Sequence, residues 1–189
     1  MRKLLSFALL LLFGVLCSAC VNNLAVHQLN QIAAEYLNEG DVHSAISRLE
    51  ASVDLDGNNY ESRYNLAVSY LRVGKCSQAV EQIDMANKLS KNEPAVHYTV
   101  GAAYNCLADQ LYQKKNADGE IEQIEYRPEQ EEGIAKKYVD YLKIANDNFN
   151  IYIQLEPNSE DTLGARNAID KNNEKIEKAN AKFNLNKWN

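Results

Sequence analysis

Four cysteines, three histidines and an acidic, amide-rich stretch around residue 118 are the side chains of this 189-residue chain with chemistry to offer. Catalysis and metal binding both need such groups at set spacings. His27, His43 and His97 fall in three separate segments, and no His-Glu-x-x-His motif gives any of them a second ligand. The chain has neither a Gly-x-Ser-x-Gly elbow nor a glycine-rich phosphate loop. Adjacent carboxylates such as Glu131 and Glu132 point to different faces of a helix. No histidine is placed to turn Cys76 or Cys106 into a thiolate nucleophile. The nearest approach to a metal site is Asn116, Asp118, Gly119, Ile121 and Glu125, spaced as in a calcium loop. Its first position is Lys114, an ammonium where a carboxylate is required, so Asp118-Gly119 reads as a tight turn. Asp54, Asp56, Gly57, Asn58 and Asn59 match less well and read as a connection. No catalytic residue, cofactor or metal site is expected, and the chain reads as a non-enzyme.

The first twenty residues set the compartment. Arg2 and Lys3 precede an apolar run from Leu4 to Leu16, shorter than the roughly 20 residues a membrane span needs, so residues 1–19 read as a secretory signal. Ser18-Ala19-Cys20 resembles the lipobox of bacterial lipoproteins, with Leu16 one place earlier than usual and Cys17 in its stead. That resemblance implies diacylation (palmitate) of Cys20 and a lipidated tether over residues 20–25. Val21, where an Asp would retain a lipoprotein in the inner membrane, implies the outer membrane, facing the periplasm. An ordinary cleaved signal, releasing a periplasmic protein, is the alternative. Loss of residues 1–19 removes two positive charges and moves the net charge from −6 to −8, which excludes nucleic acid as a partner.

Any functional surface must be built from helices. Glycine and proline are scarce, eight and three, and the rest is rich in Ala, Leu, Lys, Glu, Gln and Asn. Laying residues 26–59 under 60–93 without a gap aligns Leu29, Ile32, Ala33, Tyr36, Gly40, Ala45, Leu49, Ser52 and Leu55 with Arg63, Leu66, Ala67, Tyr70, Gly74, Ala79, Ile83, Ala86 and Leu89. This 34-residue period resembles the tetratricopeptide repeat. Small residues at Ala33, Ala45, Ala67, Ala79 and Ala86 would let paired helices approach closely. A third copy starts at Pro94 with Val100, Gly101 and Tyr104, and resumes at Ala145, Phe149, Leu155 and Pro157 after an insertion over about residues 109–140. The expected fold is all-α: a short solenoid over 26–158, with repeats 26–59, 60–93 and 94–158, capped by a helix and tail over 159–189.

The insertion reads as a projecting helical hairpin, its first helix running to about Lys115 and its second starting at Pro128. At 1.5 Å per residue it would reach roughly 12 to 20 Å beyond the solenoid. At the tip, Ile121, Ile124 and Tyr126 are expected in a small strand pair, either solvated or in contact with a partner. In an oxidising compartment, with Cys20 acylated, Cys76 and Cys106 remain to pair. The repeat geometry implied by the resemblance brings them to one edge of the solenoid, and two free thiols are the alternative.

The resemblance further implies a concave groove lined by first-helix positions that do not face the core. These are Asn30, Ala34, Leu37 and Asn38, then Tyr64, Val68, Leu71 and Arg72, then Tyr98, Ala102 and Asn105. Tyr64 and Tyr98 share one offset and would form an aromatic floor. The expected function is an outer-membrane-anchored periplasmic adaptor that binds a segment of another envelope protein, resembling pilotins and envelope-assembly scaffolds. The alternatives are a structural homo-oligomer, or an accessory subunit of a periplasmic enzyme or transport system.

Overall fold

The computed structural model describes residues 22–115, 121–183 and 185. The leader, Cys20, and the turn residues Asn116, Asp118 and Gly119 lie outside this range. Helix α1 spans 22–39 and is followed by α2 (Val42–Leu55), α3 (Tyr60–Arg72), α4 (Cys76–Leu89) and α5 (Pro94–Tyr112). Strands β1 (Gln113–Lys115) and β2 (Ile121–Gln123) form one antiparallel pair, and α6 (Pro128–Leu155) and α7 (Asp161–Phe183) complete the described chain.

Each short turn has a local cause. Gly40 and Gly74 hold φ of 84° and 73°, the left-handed region that ends a helix and that a side chain would strain. The Asp41 carboxylate accepts from the Ser44 amide and the Asn59 amide oxygen from the Ser62 amide, capping α2 and α3. Pro94 and Pro128 stand in the first turns of α5 and α6, where no backbone donor is missed.

The helices form two layers. Within and between successive repeats, α2 packs on α3, α3 on α4, α4 on α5, α5 on α6 and α6 on α7. The odd-numbered helices also touch one another: Asn30 of α1 bonds Ser62 of α3, α3 meets α5, and Asn105 of α5 is bonded by Asn172 of α7. The small residues at the repeat offsets, Ala33, Ala45, Ala67, Ala79 and Ala86, are all buried, with Leu49, Leu66 and Ile83 filling the space between them. In the third copy the close approach falls at Gly101, where a Cβ would stand 2.7 Å from the Phe149 ring.

A second strap also repeats with the 34-residue period. The Tyr70 hydroxyl donates to Glu50 at 2.6 Å, and the Tyr104 hydroxyl to Asp84 at 3.1 Å, each tying a first helix to the preceding second helix. Burial, with the carboxylate's charge and its hydrogen bond, pushes the Tyr104 hydroxyl up to about 12 and the Tyr70 hydroxyl upward as well. Cys76, buried at the start of α4, is joined in a disulfide to Cys106 of α5, with Cα atoms 5.6 Å apart.

The insertion is a hairpin, with two differences from the expectation: of the three residues expected in the strand pair only Ile121 lies in it, Ile124 and Tyr126 following the end of β2, and α5 is shorter. Helix α5 ends at Tyr112 and not near Lys115, because the chain turns extended at Gln113 and pairs Gln113, Lys114 and Lys115 with Gln123, Glu122 and Ile121. Helix α5 has 19 residues against 13 in α3, and α6 has 28 against 14 in α4, so the hairpin projects from the solenoid.

Candidate functional site

The odd-numbered helices present the face on which the groove residues were expected. All of those side chains but Asn30 keep at least part of their surface open: Ala34, Asn38 and Arg72 are exposed, and Leu37, Tyr64, Val68, Leu71, Tyr98, Ala102 and Asn105 half-buried. Leu37, Leu71 and Tyr64 lean on the apolar core of the first two repeats, leaving one side outward. The Tyr64 ring stacks on Tyr60 one helical turn earlier, with centroids 6.0 Å apart.

Asn30 is not a groove residue. It is 5% exposed, and its amide nitrogen lies within hydrogen-bonding distance of the Val26 carbonyl, the Ser52 hydroxyl and the Ser62 hydroxyl, the last at 2.7 Å. At the offsets of Ser52 and Ser62 the next repeat has Ala86 and Val96, both buried and apolar. The first repeat junction thus holds a polar gap that a short amide fills, and the second holds none, so the tyrosine at the same offset lies across its surface instead. Asn105 departs from the groove as well. Its side-chain oxygen accepts from Asn172 at 2.8 Å, and α7 lies over it.

Asparagines that carry no pattern signal do this work. Asn172, 1% exposed, donates both to Asn105 and to Asn146, and Asn146 donates to Asn173 at 2.9 Å. With the Lys175–Asp109 ion pair at 2.9 Å and the Lys182–Glu131 pair at 2.6 Å, they fix α7 along α5 and α6. Buried asparagines in a polar helix leave a periodicity search nothing to find. Leu185 lines one space with Val139 and Lys143 of α6; Trp188 lies outside the described residues.

Tyr64 and Tyr98 do line one space, but in different company from that expected. Tyr98 sits edge-on to Phe149 at 5.6 Å and to Tyr152 at 5.1 Å, so α6 supplies as much of the aromatic wall as α3 does. The cavity, of about 360 Å³, is completed by Glu93, Pro94, Ala95, Thr99, Glu156, Ser159 and Asp161. Burial, and after it the charge of Asp161, push the Tyr98 hydroxyl's pKa up. Among the described residues, Ile124 and Tyr126 of the hairpin and His97 make contacts within the fold. Ile124 is half-buried, its amide donating to the Tyr112 carbonyl at 2.8 Å, and the Tyr126 hydroxyl donates to the Leu111 carbonyl at 2.5 Å. The Tyr126 ring packs on Tyr112, which packs on Tyr138, so Tyr126 is turned onto its own hairpin. Ile121 contributes its backbone to β2. His97 has one ring nitrogen on the Lys91 carbonyl and the other on Asn148, a packing role. Among the described residues no group of three metal-binding side chains gathers, and no helix is long and apolar enough to cross a membrane.

Residues 36–103 match the tetratricopeptide repeat family. The fold is a tetratricopeptide-type solenoid. It is similar to the first such domain of Spaghetti (RPAP3) bound to the HSP90 peptide SRMEEVD, with a TM-score of 0.58 and 19% identity over 80% of this chain and 93% of that one. The second domain of human RPAP3, in complex with the HSP70 peptide SGPTIEEVD, has a TM-score of 0.58 at 17% identity, over 80% and 98%. The Yersinia enterocolitica type III secretion translocator chaperone SycD has a TM-score of 0.53 at 15% identity, over 80% and 86%. No curated protein sequence matches the chain. At these identities the likeness is one of fold, and in this solenoid the third repeat is split by the strand-tipped hairpin and the fourth inner helix is α7.

Proposed function

We propose that this solenoid is an adaptor that binds a segment of another envelope protein along the face of α1, α3 and α5, while acylated Cys20 holds it at the outer membrane, facing the periplasm. The observation that carries the reading is the row Leu37, Tyr64, Val68 and Leu71, apolar or amphipathic side chains half-open on the inner helices. Two of the structures with this fold hold peptides, which gives a solenoid of this kind a precedent as a peptide binder. A pilotin-like role follows if the client is a secretin subunit or another assembling envelope component. Tyrosine and leucine in such a row offer large contact area with few rotors to freeze.

The test is photo-crosslinking in the native cell from a probe replacing Tyr64 or Ala34, with a third probe at the exposed Gln123 of the tip, followed by mass spectrometry. One envelope protein trapped from both groove positions supports the adaptor. Self-adducts from Gln123 with none from the groove would make this a structural oligomer. Anchoring is tested separately: palmitate labelling and membrane fractionation should both be lost in Cys20→Ala. A Cys20→Ala chain that still fractionates with the outer membrane would sink the lipid reading.

A further inference from the structure

At the starts of α3, α5 and α7 and the end of α6, the cavity described above has three aromatic walls, Tyr64, Tyr98 and Tyr152, and three acidic residues at its edge, Glu93, Glu156 and Asp161. We infer that this cavity is a binding site for a cationic side chain, an arginine or lysine borne on the partner segment. The inference rests on the adaptor reading and adds to it the chemistry that is recognised.

Charge and geometry argue it together. No lysine or arginine lines the cavity, and among the described residues none of the three carboxylates takes part in an ion pair. Glu93 stands at the N-cap of α5 without making a capping bond, and Asp161 in the first turn of α7. Both stand at the positive ends of those helices, with no cationic side chain lining the cavity beside them. The aromatic wall is fixed in advance: Tyr98 is wedged against Phe149 and Tyr152, and the Tyr152 hydroxyl donates to Ser159 at 2.8 Å. Ring faces and carboxylates around one opening suit a guanidinium or ammonium, which the rings attract through their quadrupole and the carboxylates through charge. The same charges oppose acidic peptides of the EEVD kind held by the similar domains. An overall charge of −6 likewise opposes phosphates.

The full chain, purified in detergent and labelled at tyrosine, is titrated with N-acetylargininamide by NMR, with the neutral isostere N-acetylcitrullinamide and with choline alongside. Argininamide should shift the ring signals of Tyr64, Tyr98 and Tyr152 and leave Tyr126 and Tyr138 unmoved, and citrullinamide should shift none of them. Glu93→Gln with Asp161→Asn should weaken binding roughly tenfold, about threefold for each charge removed. Both sites are exposed, and an unchanged circular dichroism spectrum and Tm will show that the fold is kept. Equal shifts from the two amides, unaltered affinity in the double variant, or choline binding as tightly as argininamide would each overturn the assignment. A client crosslinked from Tyr64 with no response to argininamide sinks this inference alone; argininamide bound with no client trapped sinks the adaptor.

Discussion

Gly101→Ala and Gly133→Ala make the same chemical change in two helix interiors and should have opposite effects. Removing glycine from a helix interior stabilises by about 0.8 to 1 kcal/mol through backbone entropy and propensity, and at Gly133, exposed with nothing within 4 Å of an added Cβ, that gain should appear in full. At Gly101 the added carbon would stand 2.7 to 2.8 Å from three atoms of the Phe149 ring. The ring cannot swing away, because Phe149 is 3% exposed and Tyr98 lies edge-on to it. Overpacking of this kind costs about 1 to 3 kcal/mol. The net effect expected for Gly101→Ala is a loss of about 1 kcal/mol, and the difference between the two variants, which cancels the propensity, about 1 to 3 kcal/mol. Urea unfolding followed by circular dichroism measures both, with the slope checked for constancy. Phe149→Leu in the Gly101→Ala background should recover part of the loss. Two variants stabilised alike, within about 0.3 kcal/mol, would refute the close approach of α5 and α6 on which the third repeat depends.

Reducing the Cys76–Cys106 disulfide opens a loop with a sequence separation of 30, and should lower stability by roughly 3 to 4 kcal/mol in the chain-entropy model; unfolding with and without dithiothreitol reads it, and an unchanged midpoint would refute it. Asn172→Leu leaves the side-chain oxygens of Asn105 and Asn146 without their donor, at about 1 to 3 kcal/mol. Hydrogen exchange should then quicken along α7 before it does in α3 or α4, and uniform quickening would contradict the docking described. Tyr104 and Tyr138, both pushed up to about 12 first by burial, should ionise well above the ordinary tyrosine value near 10 when followed at 295 nm, and near that value in urea. Because the folded state raises these pKa values above the unfolded value near 10, their contribution to stability is complete below that pH and is lost as pH rises from about 10 through 12. A single transition near pH 10 in the native chain would refute it.

The repeat offsets determined the two-layer pairing of the first two repeats, because the packing joins elements adjacent in the chain and buries the small residues Ala33, Ala67 and Ala79 at the offsets where helices approach. The same locality made the turns legible, since the positive φ at Gly40 and Gly74 is a requirement of a single residue. The split third repeat could also be read, from Gly101 and Phe149, which keep their offsets on either side of the insertion and meet in space. Side-chain destinations were another matter. Asn30, Tyr64 and Tyr98 share one offset, yet one is buried on two serines, one lies half-open beside Tyr60 and one is wedged against α6, because the side chains packed around that offset differ from unit to unit. The asparagines that seat α7 depend on residues far apart in sequence, Asn105 with Asn172. The aromatic, acidic cavity draws on four helices at once. A residue's type and offset decide which face it is offered to, and only the packed neighbours decide whether that face is buried, bonded or left open.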